Sequence, residues 1–220
     1  VNTLISKHNI IIDNCQAFFS YPLPYFNTFY SPRKFFGVPD GGYLYIYNNI
    51  KLDMRLKQAK SYNKCSHLLK RIDLSAEKGY SDFKKNDFKI SSEPLMEMSK
   101  LTHRLLSSID YKYCKEKRQE NFIWLHNQLK NINLLDIDSL INNEEVPMIY
   151  PLLINKPHLR EKLIDKNIFI PQYWKNVFVW TKKSDYEQYL TRCLIPLPID
   201  QRLKKQDLNI IKNSVLKYME

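Results

Sequence analysis

A short β-branched run close to the start of the sequence places the strongest constraint on the fold. Residues 9–12 read as a buried strand without polar alternation, and Asp13 and Asn14 end it. A strand of this type belongs in a parallel sheet that is covered on both faces, and such a sheet is built from several strand-helix units. Because too few residues precede this strand, we expect the chain to be a fragment or its sheet to be completed from outside the sequence.

Hydrophobic spacing and turn residues predict further strands and helices. The predicted strands are residues 28–30, 43–47, 146–154, 177–180 and 193–197, and the predicted helices are residues 93–109, 111–129, 158–165 and 205–218. The helix from Tyr111 is long and highly charged, as in helices that bridge two domains. We therefore predict a first domain in residues 1–110 and a small α/β domain, with an antiparallel sheet, in residues 111–220.

The basic composition indicates an anionic partner. Lys and Arg number 34 against 23 Asp and Glu, a formal net charge of +11. The basic residues are scattered and form no tail or recognisable binding motif, so a phosphorylated cofactor or substrate is favoured over nucleic acid. No apolar run approaches the roughly 20 residues of a membrane span, and no targeting segment is recognisable, which favours a cytoplasmic protein. The spacing of the four Cys and five His residues predicts no metal site and no disulfides.

Two polar residues that follow the first strand are candidates for a ligand site. Ligands of open α/β sheets bind at the carboxyl ends of parallel strands, where Asp13 lies. Gln16 reaches the same ligand only if the chain turns after Asp13, and Asn14 favours such a turn. The alternative is that Asp13 caps the next helix and Gln16 is solvated.

Lys34 is the candidate nucleophile, because it lies in the aromatic and apolar segment Tyr30-Ser-Pro-Arg-Lys-Phe-Phe-Gly. We expect this segment to desolvate the ammonium and so favour the neutral amine that a nucleophile requires. Ser31 offers a hydroxyl to a phosphate group and Arg33 a positive charge, while Gly41-Gly42 allows close approach of the backbone. The alternatives are a solvated lysine, a polar turn and a hairpin.

The order of these residues resembles that of the fold-type I enzymes that depend on pyridoxal phosphate (PLP), specifically the DegT/DnrJ-type sugar aminotransferases. In that family a strand-end Asp, a Gln three residues later, a Schiff-base Lys and a Gly-Gly pair occur in this order, as Asp13, Gln16, Lys34 and Gly41-Gly42 do here. The segments from the helix that contains Arg118 onward are similar to the family's small domain. The resemblance implies an α/β fold, with part of the PLP-binding large domain in residues 1–110 and the small carboxy-terminal domain in residues 111–220.

The resemblance also implies a role for each candidate residue. Asp13 would pair with the protonated pyridine nitrogen of PLP, Gln16 would lie near its phenolic oxygen, and Lys34 would hold the cofactor as a Schiff base and move protons. The family's amino-terminal half, with the helix that holds the phosphate, is absent from these residues.

The phosphate ligand remains open between two residues. The family commonly has a hydroxyl residue five positions before the lysine, where this chain has Phe29. Ser31 or Thr28 would take its place.

The function implied is transfer of an amino group from an amino-acid donor to a nucleotide-linked keto sugar, in polysaccharide or related sugar biosynthesis. The alternative is a non-catalytic PLP-fold binding protein or an inactive fragment. We also expect a homodimer, because the loop at residues 21–29 is rich in Tyr, Phe and Pro, which suit an interface core.

Overall fold

The computed structural model describes residues 10–47, 55–141 and 145–219. The chain divides into two compact units, Val1–Asp110 and Tyr111–Glu220. Within the described ranges, no helix combines the length and the apolar character needed to cross a membrane.

A three-stranded mixed sheet organises the first unit. Its strands are β1 (Ile11–Asp13), β2 (Asn27–Tyr30) and β3 (Tyr43–Tyr45), in the order β1-β2-β3. β1 runs parallel to β2, with Asp13 opposite Phe29, and β3 pairs with β2 in the antiparallel direction. All three predicted strands are present in the described residues, although β3 ends two residues earlier than expected.

The first strand is not buried as predicted. Ile11 is 63% exposed and Asp13 is also exposed. β1 hydrogen-bonds to a neighbour on one side only, so it is an edge strand within the described residues. The predicted start of this strand, residue 9, lies outside the described residues.

The described residues of the first unit contain three α-helices, and the sequence pattern missed two of them. They are α1 (Ser66–Asp73), α2 (Ala76–Ser92) and α3 (Lys100–Ser107). The prediction of one helix over residues 93–109 was wrong in its first part: Ser99 caps α3 by accepting a hydrogen bond from the backbone N–H of Thr102 (3.1 Å), and Glu97 pairs with Gln58 in a β-bridge. α1 and α2 went unrecognised because most of their residues are polar.

The second unit packs helices against a two-stranded antiparallel sheet. Its elements are α4 (Tyr111–Leu129), β4 (Ile149–Leu153), α5 (Leu159–Ile164), α6 (Val177–Trp180), α7 (Tyr186–Cys193), β5 (Leu194–Pro198) and α8 (Lys205–Lys217). The core includes Leu125, Tyr150, Leu163, Ile195 and Val215, all of which are fully buried. The predicted antiparallel sheet is confirmed, as is α4 with the bounds expected.

The segment predicted as a strand at residues 177–180 is the short helix α6. The side-chain amide of buried Gln188 donates to three carbonyls of this segment, those of Val177, Phe178 and Thr181. These bonds satisfy carbonyls at the end of the helix. The short, continuous apolar run suggested a strand, but a contact from α7 stabilises a helical turn.

Candidate active site

The sheet of the first unit brings two candidate segments to one edge. β1 ends at Asp13 and the parallel β2 ends at Tyr30, immediately before Ser31. The backbone N–H of Asn14 donates to the carbonyl of Phe29 (2.9 Å) and extends the pairing by one residue. Asp13 and Ser31 therefore both lie at the carboxyl ends of adjacent parallel strands, where open α/β sheets bind ligands.

The chain turns directly after Asp13. Such a turn is required if Gln16 and Asp13 are to reach the same ligand. Asp13 Oδ1 accepts a hydrogen bond from the backbone N–H of Cys15 (2.8 Å), and the N–H of Ala17 donates to the carbonyl of Asn14 (3.0 Å). Cys15 and Gln16 are the central residues of this turn. Asp13 thus stabilises a turn and not a helix amino terminus.

Lys34 ends a short 3₁₀ turn, Pro32–Lys34, that follows β2. Pro32 is buried, and its fixed φ suits the first position of this turn. The backbone N–H groups of Phe35 and Phe36 donate to the carbonyl of Pro32 (3.0 and 2.9 Å). The turn therefore places the side chain of Lys34 at the surface and the two rings that follow in the core.

Two charged side chains of the candidate site, Asp13 and Lys34, influence the thiol of Cys15. Burial, a hydrogen bond with Asp13 and the charge of Asp13 raise the pKa of Cys15 to about 11, and the charge of Lys34 opposes them. Both side chains therefore act on one sulfur atom. Asp13 and Lys34 are 21 positions apart in the sequence, and they lie at or just beyond the ends of the adjacent parallel strands β1 and β2.

An aromatic cluster fixes the Lys34 turn against the Asp13 turn. The ring of Phe18 lies 5.7 Å from that of Phe35 and 5.1 Å from that of Phe36, with the second pair in edge-to-face contact. The hydroxyl of Tyr30 donates to the carbonyl of Ser20 (3.1 Å). These contacts tie together the two segments that carry the candidate residues.

Two residues that the sequence did not single out anchor the loop after Lys34. The side-chain amide of buried Asn86 donates to the carbonyl of Pro39 (3.0 Å). Asp40, also buried, accepts hydrogen bonds from the backbone and hydroxyl of Ser99 (3.1 and 2.9 Å) and from the hydroxyl of Thr102. Residues of α2 and of the start of α3 thus fix the position of the loop that follows Lys34. Ser99 could have been recognised from the sequence as the residue that caps α3. Its hydrogen bond to Asp40 could not, because the two residues are far apart in the sequence.

One expectation about the site was wrong, and the structure describes the surroundings of two other candidate residues. Lys34 is exposed, so the described residues around it do not desolvate its ammonium. Arg33 forms an ion pair with Asp87 (3.1 Å) and is held against α2. Thr28 is fully buried, which prevents its hydroxyl from reaching a phosphate at the sheet edge and leaves Ser31 as the candidate.

The remaining groups fit an anionic, aldehyde-bearing cofactor such as PLP. Ser31 does not cap its own turn with its side chain, and the second carboxylate oxygen of Asp13, Oδ2, accepts no hydrogen bond from the described residues. Lys34 forms no ion pair with any residue in the described ranges. A carboxylate, a hydroxyl and an amine are therefore free to bind one ligand at this edge.

Comparisons with known proteins bear on the fold. No family model matches the sequence, and no curated protein matches it either. Solved structures do match. PseC of Helicobacter pylori, an aminotransferase involved in the biosynthesis of pseudoaminic acid, aligns over 99% of this chain with a TM-score of 0.58 at 16% sequence identity. A DegT DnrJ EryC1 StrS aminotransferase from Brucella abortus aligns over 99% with a TM-score of 0.57 at 12% identity.

The chain has the fold of these aminotransferases. The predicted fold class, α/β of PLP-transferase fold type I, is confirmed. The PMP form of Spr1654 from Streptococcus pneumoniae, named as a sugar aminotransferase, also aligns, over 94% of this chain with a TM-score of 0.55 at 13% identity. This chain spans 62%, 59% and 57% of the lengths of the three structures, so it corresponds to part of each.

Proposed function

We propose that this chain is part of a PLP-dependent aminotransferase that moves an amino group from an amino-acid donor to a nucleotide-linked keto sugar. The observation that carries the proposal is that Asp13 and the turn containing Lys34 lie at the carboxyl ends of adjacent parallel strands, in a chain with the fold of sugar aminotransferases. In this proposal the first unit is the remaining part of the large, cofactor-binding domain and the second is the small domain.

Four residues would hold the cofactor. Asp13 would bind the protonated ring nitrogen through its free oxygen, and Gln16 would lie beside the phenolic oxygen. Ser31 would donate its hydroxyl to the phosphate group, and Lys34 would link to the aldehyde carbon. PLP, when bound, supplies an electron sink that stabilises negative charge at the substrate carbon.

Lys34 would act a second time as the proton carrier. An amine released from the cofactor by the amino substrate is a free base at the reacting carbon, and it can take a proton from one carbon and return it to another. Because Lys34 is exposed in this chain, we propose that further parts of the enzyme cover it and exclude water from the reaction. The negative charge of Asp13 would favour the protonated form of the ring nitrogen, and a protonated ring would make proton transfer by Lys34 easier.

The substrate and the setting follow from the same proposal. PseC acts in the biosynthesis of pseudoaminic acid, and by analogy we assign a nucleotide-linked sugar to this enzyme. The net charge of +11 suits a phosphorylated substrate. We place the reaction in the cytoplasm and the active enzyme in a homodimer, whose second subunit completes the site near Lys34.

The competing function is a non-catalytic protein that keeps the fold and binds a ligand without turnover. The two functions differ in what they require of Lys34. Binding alone needs only a cation there, whereas turnover needs a primary amine that forms and breaks a covalent bond.

Borohydride reduction tests the proposal. The protein is loaded with PLP, reduced, digested and mapped by mass spectrometry, and we expect the label on Lys34. Lys34→Ala should bind PLP weakly and lose turnover, while Lys60→Ala, which removes another exposed lysine of the first unit, should be labelled and active like the parent. A label on a different lysine would overturn the assignment, and PLP binding without covalent linkage would favour the non-catalytic protein.

A further inference from the structure

The second unit contains a surface cavity of about 150 Å³ for which the proposed reaction gives no role. Its lining comes from the segment before α5, from α5 itself and from the residue that follows α8, and includes Lys156, Pro157, His158, Leu159, Lys162 and Tyr218. All of these residues belong to the second unit, whereas the residues proposed to hold PLP belong to the first. The residues at 156–158 are exposed, so the cavity opens to solvent.

Part of the cavity wall is apolar. Leu159 is buried in the core of the second unit, and Tyr218 is half-buried and packs against that core. Pro157 adds a further apolar surface. An apolar cavity of about this volume in another protein accommodates a benzene ring. The size and the lining therefore suit one six-membered ring in contact with the ring of Tyr218.

Cationic side chains lie beside this apolar wall. The Nζ of Lys162 lies 4.7 Å from the centre of the Tyr218 ring, which holds the ammonium at the cavity. Lys156 also lines the cavity and is exposed, and neither lysine forms an ion pair with the residues that the structure describes. The imidazole of His158 offers an N–H donor. These groups leave two positive charges available to a ligand.

The chain around the cavity is basic as well. Residues 156–166 contain four Lys or Arg residues and two acidic residues. One of the acidic residues, Glu161, is paired with Arg160 (3.7 Å), and Lys166 places a second ammonium 5.8 Å from the ring of Tyr218. The local charge therefore favours an anion at the mouth of the cavity.

We propose that this cavity binds a phosphorylated ring compound, with the ring against Leu159 and Tyr218 and the phosphate group at Lys156 and Lys162. An apolar wall alone would accept a neutral ring, and lysines alone would accept any anion, so the combination fits a ligand that carries both parts. Lysine binds phosphate as a point charge, and two lysines match the charge of a phosphate monoester. The site requires neither PLP nor turnover, so it does not depend on the proposed function.

Calorimetric titration of the full chain with three probes tests the two parts of the site. Phenyl phosphate carries the ring and the anion, phenol carries only the ring, and inorganic phosphate carries only the anion. We expect phenyl phosphate to bind at least about tenfold more tightly than either of the others, because only it buries a ring and binds the lysines. Equal affinity for phenyl phosphate and inorganic phosphate, or no detectable binding of phenyl phosphate, would overturn the proposal.

A nucleotide and a smaller phosphorylated ring share this chemistry, and a fourth titration distinguishes them. Uridine monophosphate places a ribose between its ring and its phosphate group. Tighter binding of uridine monophosphate than of phenyl phosphate would assign a nucleotide to the site, and weaker binding would assign a ligand in which the phosphate lies close to the ring.

Substitutions locate the binding site within the chain. Lys162→Gln removes the charge and keeps most of the side chain, so we expect phenyl phosphate to bind about tenfold more weakly, the loss of one charge-assisted hydrogen bond. Tyr218→Leu keeps an apolar side chain without the aromatic face, and it should reduce the preference for phenyl phosphate over inorganic phosphate. Lys183→Gln, at another exposed lysine of the second unit, should bind like the parent. Thermal unfolding verifies that each variant is folded.

A variant of the first unit separates this site from the proposed cofactor site, which also accepts a phosphorylated ring. Ser31→Ala should bind phenyl phosphate like the parent, because Ser31 does not line the cavity. Binding that is lost in Ser31→Ala but kept in Lys162→Gln would place the ligand in the first unit and overturn the proposal. Affinities equal to that of the parent in both Lys162→Gln and Tyr218→Leu would overturn it as well.

Discussion

At the scale of single residues, Asp13 is expected to control the rate and not the fold. Asp13→Asn keeps the shape and the bond to Cys15, and the side chain is exposed, so we expect the free energy of unfolding to change by less than about 1 kcal/mol. The neutral amide no longer holds a proton on the ring nitrogen, and turnover should fall by about a hundredfold or more. Thermal unfolding and steady-state kinetics check both effects, with Asp73→Asn as the exposed control in α1. Equal turnover in Asp13→Asn and the parent would contradict the proposed role of Asp13 at the ring nitrogen.

The candidate residues differ in how far the sequence could predict them. Asp13 and Lys34 were recognisable because each follows a short strand and their order fits a known family. The exposure of Lys34 and the ion pair of Arg33 were not, because both depend on which surfaces pack nearby. The sequence did not single out Cys15, because its backbone contact with Asp13 arises from the turn between them.

At the scale of elements, Gly79 decides how closely α1 and α2 pack. A β-carbon at Gly79 would lie 2.7 Å from the backbone carbonyl oxygen of His67, where no flexible side chain can move away. Alanine usually stabilises a helix interior by about 1 kcal/mol over glycine, but overpacking costs about 1–3 kcal/mol. We therefore expect Gly79→Ala to be destabilising in urea denaturation, whereas Ser81→Ala, on the exposed side of α2, should be neutral or slightly stabilising. Stabilisation by Gly79→Ala would show that the two helices can separate at no cost.

The second unit contains an element contact whose strength depends on pH. His126 Nε2 lies 2.9 Å from Asp138 Oδ1, and the hydrogen bond from His126 holds the pKa of Asp138 below its usual 3.8. A carboxyl whose pKa is lower in the folded state stabilises the fold above the unfolded value and loses that effect as the pH falls through the folded value. The stability difference between the parent and Asp138→Asn should therefore be constant near neutral pH, begin to shrink as the pH falls below about 3.8, and vanish once the pH is below the folded pKa of Asp138. Asp165→Asn, at an exposed carboxyl, should show no such pH-dependent difference. A stability difference between the parent and Asp138→Asn that persists in acid would contradict the contact between His126 and Asp138.

Elements with a clear sequence pattern were predictable. Elements whose conformation depends on tertiary contacts were not. α8 carries apolar residues at helical spacing, and α4 is a long, highly charged segment without Gly or Pro; the sequence located both nearly to the residue. α6 reads as a strand by its β-branched and aromatic residues, but Gln188 from α7 holds it as a helix. Local propensity is weak in a four-residue segment, so one external side chain decides its conformation.

At the scale of the whole molecule, the proposed homodimer makes the loop at residues 21–29 an interface. Tyr21 is 88% exposed and Tyr25 67% exposed in this chain, a concentration of apolar rings beside the proposed site. We expect light scattering to report a dimer of the complete protein and Tyr21→Asp to weaken it at least about tenfold, since loss of a central interface aromatic costs about 2 kcal/mol or more. Tyr62→Asp, at a tyrosine of the same unit that is 77% exposed, serves as the control and should leave the dimer intact. If the second subunit completes the site near Lys34, as proposed, turnover per subunit should fall as Tyr21→Asp dissociates on dilution. A parent protein that stays monomeric over the concentration range with full turnover would exclude the shared site.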